Sequence, residues 1–148
     1  MNSILCSPIV GELVNLENVN DEMFSKKMLG DGIAIIPKAK EIFSPVDGVV
    51  TMVYETKHAI GIEMSSGLEI LLHIGIDTVT LNGIPFDTKV EVGDQVRQGD
   101  LLTIVDWKYI ENKGCDTIIP VLAINKKVKQ IKSSGNVQPG DELFEIEN

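Results

Sequence analysis

The chain holds two histidines, His58 and His73, which lie in short apolar stretches on either side of the turn signal Ser65-Ser66-Gly67. The second stretch reads EILLHIGIDTVT from Glu69 to Thr80. In an extended chain Ile70, Leu72, Ile74 and Ile76 point to one side, and Glu69, Leu71, His73, Gly75 and Asp77 to the other. The wholly aliphatic side is the core side, which leaves His73 facing outward or into a shallow surface. HAIGIEM (His58–Met64) and this stretch read as the two arms of a β-hairpin. With an even loop from Met64 to Gly67, Glu63 pairs with Leu68 and His58 falls directly opposite His73. Opposed residues share a face, with Cβ atoms about 4.5–5.5 Å apart. A three-residue loop would shift this register by one.

Two adjacent imidazoles can be read three ways. They can be metal ligands, but a zinc site needs a third protein ligand and no HxH or HExxH accompanies them. They can be incidental surface residues. Or one can be a nucleophile and the other its electrostatic partner. A neutral imidazole nitrogen can attack a phosphoryl group to give a labile phosphoramidate, while a neighbouring N–H holds the phosphoryl oxygens. No GxxxxGK[ST] cradle is present, so ATP is not the expected donor.

The elements that must position these rings are short apolar runs broken by glycine, proline and aspartate. The pattern predicts strands over Ile9–Leu13, Gly32–Ile36, Gly48–Tyr54, Ala59–Met64, Glu69–Ile76, Lys89–Val92, Leu101–Val105, Thr117–Ile124 and Glu142–Ile146. Short helical turns are predicted within Val19–Leu29, Trp107–Lys113 and Lys126–Ser133. So many short strands imply an all-β protein, an antiparallel β-sandwich or distorted barrel. An internal echo supports a duplicated β-motif: VEVGDQVRQGDLL (Val90–Leu102) parallels GNVQPGDELFEI (Gly135–Ile146), and IFSPVDGVV (Ile42–Val50) parallels CSPIVGELV (Cys6–Val14).

Composition narrows the function. At 148 residues the chain suits one domain, residues 1–148, with a core of Ile, Val and Leu, since aromatics are only 5%. A net charge of −9 argues against nucleic acid as a partner and favours basic patches on other proteins. Cys6 and Cys115 have neither metal-binding spacing nor a disulfide framework and read as packed, reduced thiols. The N-terminus lacks the pattern of a signal peptide, and no run approaches the roughly 20 apolar residues of a membrane span. A cytoplasmic protein without direct membrane insertion is expected.

GLEILLHIGIDTVTLNGIPF (Gly67–Phe86) closely resembles the signature of the glucose-type IIA components of the bacterial phosphoenolpyruvate-dependent sugar phosphotransferase system. GDGIAIIP, SPVDGVV, YETKHAIGI and VEVGDQVRQGDLL extend the resemblance over nearly the whole chain. Glu22 and Met23 stand where relatives often carry small aliphatics, and Leu71 where an aromatic is common. The resemblance implies an antiparallel β-sandwich built from a duplicated motif. It implies that His73 accepts a phosphoryl group from a small histidine-containing phosphocarrier protein and passes it to a cysteine of a IIB domain of a sugar permease. His58 is then the second active-site histidine, needed for onward transfer, and Thr56 the residue that orients it. Asp21 and Asp77 fall on carboxylates that ring the site and meet an arginine of the partner. The chain is expected to stand free of its membrane permease.

Transfer between proteins must keep water out, or the phosphohistidine hydrolyses. Met23, Phe24, Leu29, Leu71 and Val79 are the expected apolar collar, although core packing alone would explain each. No cofactor is required on this reading. Some relatives inhibit sugar permeases or glycerol kinase when unphosphorylated, and there the two histidines can share zinc with a partner's carboxylate. Two rival classes remain. A biotinyl or lipoyl swinging-arm domain shares SPVDGVV-like motifs but needs a lysine in an MKM or DKA hairpin tip, a context that Lys57 and Lys89 lack. A zinc peptidase of related architecture needs more than two histidines.

Overall fold

The computed structural model describes residues 3–147. In chain order the strands are β1 (Ile4–Cys6), β2 (Gly11–Val14), β3 (Gly30–Pro37), β4 (Glu41–Phe43), β5 (Gly48–Val53), β6 (Ala59–Glu63), β7 (Glu69–His73), β8 (Phe86–Thr88), β9 (Gln95–Val96), β10 (Leu101–Val105), β11 (Ile119–Ile124), β12 (Val128–Gln130), β13 (Gly135–Val137) and β14 (Glu142–Ile146). Two short helices, α1 (Glu22–Ser25) and α2 (Trp107–Asn112), and 3-10 turns at Leu16–Asn18 and Thr78–Leu81 complete the fold. An eight-stranded antiparallel sheet in the order β13-β2-β3-β11-β7-β6-β5-β9 faces two three-stranded sheets, β1-β14-β12 and β4-β10-β8. The large sheet stays open at its edge strands β13 and β9, so the fold is a sandwich and not a barrel.

Strand alternation divides the apolar residues between two clusters. Ile33 and Ile35, Ile60 and Ile62, Ile70 and Leu72, and Val121 pack inward against Leu5, Ile42, Leu102, Leu143 and Phe144 of the small sheets. The intervening residues Ala34, Ala59, Leu71 and Leu122 form a second cluster on the outer face, roofed by Leu16, Val19 and Phe24. The face that carries His73 is thus partly covered by α1 and the turn before it. Ile76 joins this outer cluster, against the alternation reading. Gly75, at φ 81°, breaks the extended chain and turns the next side chain over.

The sequence echo is a structural repeat. Ser7 N–H donates to the Asp141 carbonyl (2.7 Å) and Gly140 N–H to the Ser7 carbonyl (3.3 Å). Ser44 and Asp100 make the same bond at 2.8 Å, and Gly99 and Ser44 at 3.0 Å. Both buried serine hydroxyls then donate two residues on, to Ile9 and Val46. Gly11 and Gly48 are matched too: a Cβ on either would lie 2.4 Å from a neighbouring strand's carbonyl oxygen. Two similar corners therefore clamp the sandwich, and only one repeat carries histidines.

Several sequence expectations are corrected here. Lys126–Ser133 contains a strand, β12, because Val128 pairs with Ile146 and packs into the main core. Lys89–Val92 is not a strand; the pairing with β10 is made by Phe86–Thr88. Strands β1, β4, β9, β12 and β13, of two or three residues each, leave too few positions for an alternation to register.

Candidate active site

The hairpin register differs from the even-loop expectation. Ala59, not His58, lies opposite His73, and Glu63 lies opposite Glu69. Met64 N–H bonds to the Leu68 carbonyl at 2.8 Å, leaving a three-residue loop, Ser65-Ser66-Gly67. Strict alternation would now send His58 to the core side. It does not, because His58 lies in a bend just before β6, after Lys57 in the left-handed region (φ 63°). The bend brings the ring back over the strand. The two imidazoles meet edge to face, with centroids 5.0 Å apart and planes at 80°.

Each ring is held by its Nδ1. His73 Nδ1 lies 2.7 Å from the Gly75 carbonyl oxygen. A carbonyl can only accept, so Nδ1 carries the proton and Nε2 keeps its lone pair. His58 Nδ1 lies 2.6 Å from Thr56 Oγ1. His58 is 3% exposed, with Tyr54 standing edge-on at 5.1 Å. His73 is half-buried under Phe24, whose ring centroid is 4.9 Å away. Gly75 permits this geometry by its left-handed φ of 81°, and a Cβ there would meet Thr78 Cγ2 at 2.5 Å and the Asp116 carbonyl oxygen at 2.9 Å.

Burial pushes the His58 imidazole down to about 4, aided by the positive charge that His73 can carry. Burial also lowers His73, against the opposing pull of the Gly75 carbonyl, Asp21 and Asp77. Both rings are therefore neutral near pH 7. The unfolded chain takes up protons below about 6.5 that folded His58 refuses until about 4. Stability contributed by this residue is present above pH 6.5 and falls as the pH drops through that window, by about 3 kcal/mol in all. Urea unfolding of the natural protein and of His58→Leu at pH 7.5 and pH 4 checks this. Their stability difference should shift by about that amount in favour of the variant at low pH.

The remaining predicted site residues are distributed around these rings. Asp21 caps α1, its carboxylate accepting from Met23 N–H at 2.9 Å. Asp77 is exposed, with φ 64°, before the 3-10 turn at Thr78–Leu81. Phe24 and Leu71 are buried in the outer cluster and Leu29 packs against it. Met23 and Val79 stand out into solvent at 46% and 48% exposure, outside that cluster. A groove of about 220 Å³ runs between Leu29, Met52, Tyr54 and Leu71, and Tyr54 also stands against His58. Sequence reasoning missed Tyr54 and the Gly75 carbonyl; the acceptor forms because the chain leaves the strand after His73 and turns at Gly75 (φ 81°), which no alternation signals. Among the described residues no group of three or more His, Cys, Asp or Glu side chains is arranged to hold a metal. No helix among them is long and apolar enough to cross a membrane.

A profile of the family described as the phosphoenolpyruvate-dependent sugar phosphotransferase system, EIIA 1, matches residues 3–129. Among solved structures, the glucose permease IIA from Mycoplasma capricolum is similar at 39% identity, over 97% of this chain and 95% of that one, with a TM-score of 0.92. Lys57 does lie at a hairpin tip, in the turn between β5 and β6 that also holds Thr56 and His58. The shared sandwich, the match over most of the chain and the level of identity lead to one assignment: this chain belongs to the glucose-type IIA components of the sugar phosphotransferase system.

Proposed function

We propose that His73 is the phosphoryl-accepting residue of this sugar phosphotransferase component, and that His58 stabilises the group in transit. The observation that supports the reading is the 2.7 Å contact of His73 Nδ1 with the Gly75 carbonyl, which leaves the Nε2 lone pair free for attack. In the first step this lone pair forms a P–N bond as the P–N bond to the imidazole of a histidine-containing phosphocarrier breaks. The departing ring regains its electron pair. His73 keeps its Nδ1 proton throughout, so positive charge grows on the ring where the Gly75 carbonyl faces it. In the second step a cysteine thiolate of a IIB domain forms a P–S bond, and the pair returns to Nε2.

Thr56 donating its hydroxyl proton to His58 Nδ1 would leave a proton on His58 Nε2, a donor for the phosphoryl oxygens. Phe24, Leu29 and Leu71, with Met23 and Val79 at the rim, would exclude water once a partner docks. Asp21 and Asp77 would steer a basic partner and fix its register. Inhibition of sugar permeases or glycerol kinase by the unphosphorylated form extends the same reading. There His58 and His73 would supply two zinc ligands and the partner a third.

The reading is tested by incubating the protein with phosphoenolpyruvate, the first enzyme of the system and the phosphocarrier. The expected product is an acid-labile, base-stable adduct at His73. An acid-stable label, or none, overturns it.

A further inference from the structure

Helix α1 is one turn of four residues, too short to persist by itself, yet it sets Phe24 against His73 and has Asp21 as its cap. Its far end closes by two backbone bonds, Lys27 N–H to the Phe24 carbonyl (3.0 Å) and Met28 N–H to the Met23 carbonyl (3.1 Å). This is the Schellman pattern, whose left-handed position is usually glycine because a Cβ is disfavoured there. Here that position holds Lys27, at φ 56°.

The side chain supplies a reason for the misfit. Lys27 Nζ lies 2.9 Å from Glu17 Oε1 and 3.3 Å from Asp31 Oδ1. Asp31 is the less exposed partner, at 17%, and its oxygens also accept from Gly32 N–H (2.8 Å) and Val128 N–H (3.3 Å). One ammonium therefore joins the end of α1 to the 3-10 turn before it, to β3, and through Asp31 to β12. We propose that Lys27 is a positioning residue for phosphoryl transfer: its bridge to Glu17 and Asp31 holds α1 in place, and so sets Phe24 and Asp21 against His73. The transfer part rests on His73 being the acceptor; the packing part does not.

Lys27→Gly is the deciding variant, because glycine suits the turn better and removes only the bridge. The expected result is an unfolding midpoint close to that of the natural protein, with the second-order rate of His73 labelling by the phosphocarrier lowered about fivefold. In the unphosphorylated protein the NMR signal of the His73 ring proton Hε1 should move toward its position in a Phe24→Leu variant, as the ring-current effect of Phe24 weakens. Lys27→Arg should restore both. Labelling at the natural rate in Lys27→Gly overturns the proposal, as does slower labelling with an unmoved His73 signal. Should His73 not be the acceptor, the natural protein also fails to label there, while the ring signal still reports on the bridge.

Discussion

Replacing His73 with glutamine should stop phosphoryl acceptance, lowering the rate of labelling by more than about a thousand-fold. Glutamine matches the imidazole in reach, its carboxamide nitrogen standing near the position of Nε2. What it lacks is a nucleophilic lone pair, because the amide nitrogen's electrons are delocalised. The ring contributes no main-core packing, so the variant should unfold at nearly the same urea concentration as the natural protein. Quench-flow labelling from the phosphorylated carrier, read beside that unfolding curve, separates lost chemistry from lost fold. Persistent label on another residue would remove His73 from its assigned role.

Replacing His58 with leucine should leave His73 able to take up label over a long incubation, and should slow transfer onward to a IIB cysteine by about 10²–10³. The size of the effect follows from the position of the ring. His58 is buried and neutral, its Nδ1 engaged by Thr56, and its centroid 5.0 Å from that of His73. On the proposed role, a donor preorganised at that distance would meet the charge that develops on the phosphoryl oxygens without having to reorient. His58→Gln, which restores an N–H at similar reach, should recover part of the rate. Equal onward rates in the natural protein and the leucine variant would leave His58 with a packing role only.

The sequence displays these features unequally. The Glu69–His73 alternation is legible because one side is wholly aliphatic, and the structure sorts Ile70 and Leu72 inward and Leu71 outward as read. The two histidines do meet, but the even-loop register that placed His58 opposite His73 is wrong, and the actual cause of their meeting is not legible. Their contact depends on a bend at His58 and a left-handed Lys57, which no periodic pattern encodes because they lie outside the strand. The same limit explains Ile76, turned over by Gly75. Lys126–Ser133 misleads because four lysines among few apolar residues satisfy helix and edge strand alike, and only the distant partner Ile146 decides. Met23 and Val79 are exposed where a collar was expected. Alternation and burial patterns mark apolar residues that pack within the chain, and these two do not.

The loop Ser65-Ser66-Gly67 is exposed, and a methyl group added at Gly67 would meet nothing within 4 Å. By the usual measure such a tip is free to drift. Its residue count, however, acts as a reading frame for everything after it. One residue gained or lost would leave a choice between exchanging the two sides of the following strand, exposing Leu72 and burying His73, and distorting the tip to avoid doing so. Ser65 and Ser66 should therefore accept changes of identity readily, while Gly67 is held to glycine by its φ of 89° and the loop tolerates changes of length poorly, so that a distant site is guarded by a number as much as by a side chain.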